Sequence, residues 1–351
     1  MFRRLGLVGV LVFNLVMVTF VAAPLVGAAT ATVSPDNLNG WATISRRTAS
    51  GSFVNGLSAP GAGVGSYRMA TGAGGSGPDL PGDPNNMRLG GKTWLSTQLL
   101  DLTRLDAISA LSYSTYITTR ASNTSVAPSI NLYLDLNGDN QRDTTLVYEP
   151  VYSVPEQAAT TTGTWQTWQA TAGRWWFTND QGTKNGHTYC ASGCFNFFSD
   201  IVADFPGAKI VTWYSQRSDG YGFNFVAGQS DAGGPWNDFN GNIDNFSITV
   251  SGVNSTFDFE PLMTCYVNAS SPPGNDGNGG TSATDAKKTI QACINITGSG
   301  GTVIVAAGTY AENLNVDRPL TIKGPNFGVN ANTGSRPTEA VITPASTTNT
   351  L

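Results

Sequence analysis

Oxygen-bearing groups recur at alternate positions between Asp135 and Asp143 (DLNGDNQRD): Asp135, Asn137, Asp139, the Gln141 carbonyl and Asp143. Oxygens at that spacing can converge on one hard cation, and calcium is the cation such a set suits. The stretch equally suits a long polar hairpin turn, because Asn-Gly and Asp-Asn are turn formers. No Glu closes the loop and no helical pattern flanks it, so it is not an EF-hand.

Aromatic residues are the second candidate set. Trp165, Trp168, Trp175, Trp176, Trp213, Tyr214, Tyr221 and Trp236 cluster between residues 165 and 236, in the second half of the expected sandwich. Sugars present flat C–H faces, which stack on exposed rings that have amides or carboxylates nearby. Trp175, Trp176, Trp213, Tyr214 and Trp236 are the candidates for glycan contact. Core packing accounts for most tryptophans in any such cluster. Trp175 and Trp176 are adjacent on a predicted strand, so one points in and the other out.

Signatures of catalysis are sparse. No GxSxG occurs, and a single histidine, His187, argues against a serine or cysteine triad. The run Gly61-Ala62-Gly63-Val64-Gly65 imitates a dinucleotide loop without the strand–loop–helix context, so it is a turn. Asp258 and Glu260 share one strand face, and paired carboxylates can cleave a glycosidic bond. The plainer reading is the end of a closing strand.

Four cysteines in an exported chain predict two disulfides, Cys190 with Cys194 and Cys265 with Cys293. Zinc would need more ligands than one histidine supplies.

The elements that must position these residues are mostly short strands. Strand patterns recur at Trp41–Ile44, Ser66–Ala70, Ile108–Ile117, Ser129–Leu134, Thr145–Tyr148, Trp165–Ala170, Arg174–Phe177, Lys209–Trp213, Gly222–Val226, Asn242–Val250 and Thr256–Phe259. Such a series predicts two packed sheets. One helix interrupts it, with Phe197, Phe198, Ile201, Val202 and Phe205 on one face and Pro206 ending it. Pro272 to Thr281 (PPGNDGNGGT) has the composition of a linker or exposed loop.

Beyond it, Thr284 to Ile294 predicts a helix capped by Thr284, with Ala286, Ile290, Cys293 and Ile294 on one face. Three strand patterns follow: Val303 with Val305, Leu314 with Val316, and Leu320 with Ile322. Turn formers separate them. Strands this short bury a core only by coiling and stacking. The helix with Ile290-Gln291-Ala292-Cys293, then GGTVIVAAGTYAENLNV and PLTIKG, resembles the first coil of secreted right-handed parallel β-helix proteins, the pectate-lyase-like superfamily. The resemblance implies a helix covering the open end of a solenoid. The family's catalytic residues lie on coils in the middle of the solenoid, whereas this sequence reaches about two coils and residues 340–351 (AVITPASTTNTL) show no closing cap, so an incomplete solenoid is expected. Glu312 and Asp317 match no catalytic motif.

The preceding body resembles the jelly rolls of carbohydrate-binding modules and bacterial surface proteins, on its strand count, its paired tryptophans and its closing GNIDNFSITV. That resemblance implies a structural calcium held by an acidic residue on the last strand, the position of Asp244. Taken alone, Asp238 to Asn245 (DFNGNIDN) is a turn into that strand. The Asp135–Asp143 loop likewise resembles the short DxDxDG calcium loops of extracellular proteins, with Asn137 and Asn140 as departures.

Residues 1–31 have the form of a secretory signal: Arg3 and Arg4, an apolar run from Leu5 to Ala23, and small residues at Gly27-Ala28 and Thr30-Ala31. An uncleaved membrane anchor is the alternative. Loss of Arg3 and Arg4 takes the net charge from -5 to about -7, which argues against nucleic acid as a partner. Charged residues make up 12% of the chain, against roughly 25% in an average soluble domain, as suits an all-β extracellular protein.

The expectation is therefore an all-β fold in four parts: a signal at 1–31, a jelly-roll sandwich at 32–261, a clamped linker at 262–283, and a cap helix with the first coils of a β-helix at 284–351. The expected function is non-catalytic attachment of a secreted or cell-surface protein to extracellular polysaccharide or cell-surface glycan, with structural calcium as the cofactor and no membrane contact after signal cleavage. The alternatives are a polysaccharide lyase or glycoside hydrolase with its catalytic coils missing, and an adhesin-like spacer.

Overall fold

The computed structural model describes residues 29–72, 90–121, 124–191, 193–212, 221–229, 234–270, 272–330, 332 and 336–345. Residues 1–28 of the expected signal lie outside them, as do Trp213 and Tyr214, whereas residues 29–31, expected to end the signal, belong to a strand, Ala29–Val33, that pairs with Val253–Phe259. The described residues are mostly β-sheet, with two short α-helices.

Two sheets face each other across one core. The seven-stranded sheet runs in the order Ala29–Val33, Val253–Phe259, Asn240–Val250, Gly65–Ala70, Ser50–Asn55. Ile108–Thr119 also pairs with Asn240–Val250 and carries Trp165–Gln169 on its other edge. The eight-stranded sheet runs Asn196–Phe197, Arg174–Phe177, Thr144–Tyr148, Ser129–Asp135, Phe223–Gly228, Lys92–Thr97, Trp41–Arg46, with Lys209–Ile210 on the end of Ser129–Asp135. Alternate residues from both sheets meet between them. Tyr67, Leu111, Tyr113, Ile243, Phe246 and Phe257 come from one side, and Trp41, Leu95, Leu132, Leu146, Trp175 and Phe225 from the other. Trp41 is the hub, within 6.0 Å of the ring centroids of Phe223, Phe225, Phe246, Phe257 and Phe259. Helix α1, Phe198–Asp204, closes one end with Phe198 and Ile201 buried, as its apolar spacing predicts.

A second, smaller core lies beyond Pro261. Leu262–Val267, Thr297–Val305 and Thr321–Lys323 form a parallel sheet, and Gly308–Ala311 pairs in parallel with Ala340–Thr343. The register stacks Cys265, Val303 and Ile322, and sets Tyr310 beside Ile342. Residues 262–267, expected to open a linker, are thus a strand of this core. Helix α2, Ile290–Ile296, covers one end with Ile290, Cys293 and Ile294 buried. It starts later than Thr284: Thr289 is its cap and accepts the Ala292 N–H, while Ser282 caps a separate turn at Ala283–Asp285. Leu314 packs against this core but forms no strand with Val316, which is exposed. Two hydrogen-bonding turn formers, Asn313 and Asn315, flank Leu314 and favour irregular backbone. At the far end Ile322, Val341 and Ile342 are 37%, 47% and 48% exposed.

Both expected disulfides are present, Cys190–Cys194 and Cys265–Cys293. No helix among the described residues is long and apolar enough to cross a membrane.

Candidate functional site on the outer sheet face

Alternation sends Leu132, Leu146, Trp175, Leu95 and Phe225 into the core and puts their neighbours on the outer face of the eight-stranded sheet. Register lines up Trp176, Val147, Asn131, Asn224 and Ser96 across that face, one from each of five strands. A second row holds Ser129, Val226, Trp94 and Ile44. Trp94 and Val226 are buried and pack with Ile44 into a small outer cluster. The Lys92 ammonium lies 5.3 Å and the Arg46 guanidinium 5.6 Å from the Trp94 ring centroid, within cation–π range.

Trp176 keeps part of its ring exposed. Its indole N–H donates to Glu149 Oε2 at 3.1 Å. Burial pushes the Glu149 carboxyl up, while the Trp176 N–H and the Lys92 charge draw it back down. At the sheet edge, Arg174 stacks on Phe197 at 4.6 Å and pairs with Glu156 at 2.5 Å. Tyr152, 41% exposed, stacks on Phe195 at 4.2 Å. Partly exposed rings beside a carboxylate and a guanidinium suit the stacking of a sugar face, and they lie at the Trp176–Arg174 end, since Val147, Asn224, Ser96 and Trp94 farther along the sheet are buried.

The other aromatic candidates divide differently. Trp175 is fully buried between Tyr148 and Phe198, and its N–H donates to Ala170 O at 2.8 Å. Trp236 is 7% exposed and packs on Phe239. Neither offers a face to a ligand. Sequence reasoning passed over Glu149, Trp94 and Lys92. The alternation in Lys92-Thr93-Trp94-Leu95-Ser96-Thr97 was a signal for the last two. Glu149 follows inward Tyr148, so alternation puts it outside.

The cation candidates form no joint site. Among the described residues no three His, Cys, Asp or Glu side chains gather in a geometry that holds a metal. Asp135 is buried, and its carboxylate accepts N–H groups from Asn137 at 3.0 Å, Gly138 at 2.6 Å and Asn140 at 2.7 Å, plus the Lys209 ammonium at 3.3 Å. Asn137 Oδ1 accepts from Asp139 N at 2.9 Å, and Asp139 Oδ1 from Gln141 N at 2.7 Å. Asp143 accepts from Leu136 N at 2.7 Å and Asn137 Nδ2 at 3.1 Å. These oxygens accept amide protons from the loop's own turns, as a polar hairpin would have them.

Asp244 belongs to the other sheet. It sits where the Asn240–Val250 strand exchanges one partner, Gly65–Ala70, for another, Val253–Phe259. Its carboxylate collects the N–H groups stranded at the exchange: Ala59 at 2.9 Å, Phe259 at 3.1 Å and Asn245 at 2.8 Å. His187 is likewise structural in its contacts: its Nδ1 lies 2.9 Å from Asp204 Oδ2, which also accepts from Tyr189 OH at 2.6 Å.

No family model matches this chain, and no curated protein matches it. Among solved structures, the chain is similar to SGBP-B from a complex xyloglucan utilization locus in Bacteroides uniformis. Identity is 12% and the TM-score 0.27, over 60% of this chain and 48% of that one. The chain thus spans about half the length of that neighbour.

Proposed function

We propose that this chain is a secreted or cell-surface protein that binds extracellular polysaccharide or cell-surface glycan through the outer face of its eight-stranded sheet, without chemistry of its own. The observation that carries this is the partly exposed Trp176 ring, fixed by its N–H to Glu149 and flanked by the Arg174–Phe197 stack. The two disulfides support an oxidising compartment. The two facing sheets are a jelly roll in this reading. The parallel pairing of residues 262–267, 297–305 and 321–323 supports first coils of a β-helix beyond it.

A panel of neutral and acidic polysaccharides in affinity gels tests the proposal. The whole chain is expected to be retarded by at least one polymer, and Trp176→Ala to weaken that retardation about 3- to 10-fold. A folded chain that binds none of them is a spacer. Release of oligosaccharides in the same incubations would make it a lyase or hydrolase.

A further inference from the structure

Lys209 opens the two-residue strand Lys209–Ile210, whose register sets it opposite Asp135. Its ammonium lies 3.3 Å from Asp135 Oδ2 and 2.6 Å from Asn140 Oδ1. We propose that Lys209 is the resident cation of the Asp135–Asp143 loop, so that a protein ammonium closes this hairpin in place of calcium.

A carboxylate has about four acceptor positions. Asp135 fills them all: Oδ1 takes the amides of Asn137 and Gly138, and Oδ2 takes the Asn140 amide and Lys209. A metal ion would have to displace one of these donors from a fully buried oxygen. Lys209 is the donor it would meet, and two like charges cannot share that carboxylate cheaply. The Lys209 side chain is 20% exposed, so its attraction to Asp135 is only partly screened by solvent. Burial pushes the Asp135 carboxyl up, but the Gly138 and Asn140 amides and Lys209 outweigh it, and the group lies below the ordinary carboxylate range. It is therefore ionised at neutral pH, with its counter-charge supplied by the chain.

The consequence is mechanical as well as electrostatic. Lys209 ties the tip of the hairpin between Ser129–Asp135 and Thr144–Tyr148 to the segment that follows α1. A calcium ion would make that tie depend on the medium, whereas lysine does not.

Thermal melting of the whole chain with calcium or with chelator tests this, using Asp139→Asn, Lys209→Met and Lys209→Arg. Asp139→Asn keeps the turn to Gln141 N but removes an exposed loop charge. Wild type and Asp139→Asn are expected to respond to calcium identically. Lys209→Met is expected to melt at least about 4 °C lower, because it leaves a buried carboxylate uncompensated. Lys209→Arg is expected to recover part of that loss. A rise in the wild-type midpoint with calcium that Asp139→Asn abolishes would overturn the proposal, as would Lys209→Met melting like wild type. If Lys209→Met does not fold, the two calcium responses still decide.

Discussion

Asp258 and Glu260 stand side by side over one turn: Gly63 N–H donates to Asp258 at 3.3 Å, and Val64 N–H to Glu260 at 2.8 Å. The turn passes so close that a Cβ at Gly63 would lie 1.9 Å from Glu260 Oε1, so a side chain there would push the Glu260 carboxylate out of its place. Pro261, next after Glu260, lies against Gly298 of the second core, and Asn55 accepts the Ser299 N–H at 3.0 Å. With Asp244 holding Ala59, three carboxylates fasten the Ala59–Val64 loop at the joint between the two cores. That work is structural, and it argues against Asp258 and Glu260 as a hydrolytic pair.

This joint makes stability depend on pH. Burial, with Asp258 adding to it, pushes Asp244 up to about 7 from 3.8 and also raises Glu260. A carboxyl raised on folding binds more protons in the native state, so its contribution is full below its unfolded value and lost as pH climbs through the folded one. Asp204 is opposite. Donation from Tyr189 and Asn185 draws it down to about 2, so its contribution is present above 3.8 and lost as pH falls towards 2. Denaturant unfolding is therefore expected to be most stable between about pH 4 and 5 and to decline towards pH 8. The Asp244 share of that decline is on the order of 4 kcal/mol at most. Asp244→Asn should flatten the alkaline limb and leave the acid limb in place. A flat wild-type profile from pH 5 to 8 would refute this.

Much of this was legible in the residues because alternation has a period of two. Arg174–Phe177 falls where its pattern puts it, and Ser129–Asp135 and Ile108–Thr119 differ from expectation only at one end. Ser50–Asn55, Lys92–Thr97 and Leu262–Val267 were missed, although Lys92–Thr97 alternates. Ser50–Asn55 is rich in serine and glycine, and Leu262–Val267 was read with the linker that follows it. The direction of Trp175 and Trp176 was readable only as opposite. Which one faced solvent depended on Tyr148 and Phe198, distant in sequence, filling the space around Trp175. Lys209 beside Asp135 was invisible for the same reason: 74 positions separate them, and only strand register brings them together.

The two disulfides should contribute unequally. Cys265 and Cys293 are 28 positions apart, and Cys190 and Cys194 only 4. On the chain-entropy model the longer loop is worth about 3.5 kcal/mol and the shorter about 2 kcal/mol. The longer one also joins the Leu262–Val267 strand to α2 inside a core of few residues. Cys265→Ala with Cys293→Ala is expected to expose the amides of Thr297–Val305 to hydrogen exchange while those of Ser129–Asp135 stay protected. Cys190→Ala with Cys194→Ala should leave both strands protected. Equal loss of protection in the two double variants would contradict the ranking.

Arg318 holds the other end of α2. Its guanidinium donates to the Ile294 carbonyl and, at 3.1 Å, to the Thr297 carbonyl, and it also pairs with Asp317. The last carbonyls of a helix have no partner within it, and a cation there also meets the negative end of the helix dipole. The side chain is 16% exposed, so water replaces it poorly. Arg318→Ala is expected to destabilise the second core by about 2–3 kcal/mol, since charged donors to carbonyls are lost together. Arg318→Lys keeps the charge but loses the planar fork that reaches two carbonyls at once, and should fall between the two. Because Asp317 is 60% exposed, Asp317→Ala should cost no more than about 1 kcal/mol. Hydrogen exchange on the α2 amides separates these outcomes. If Asp317→Ala loosened the helix as much as Arg318→Ala, the ion pair and not the carbonyl cap would be the stabilising contact.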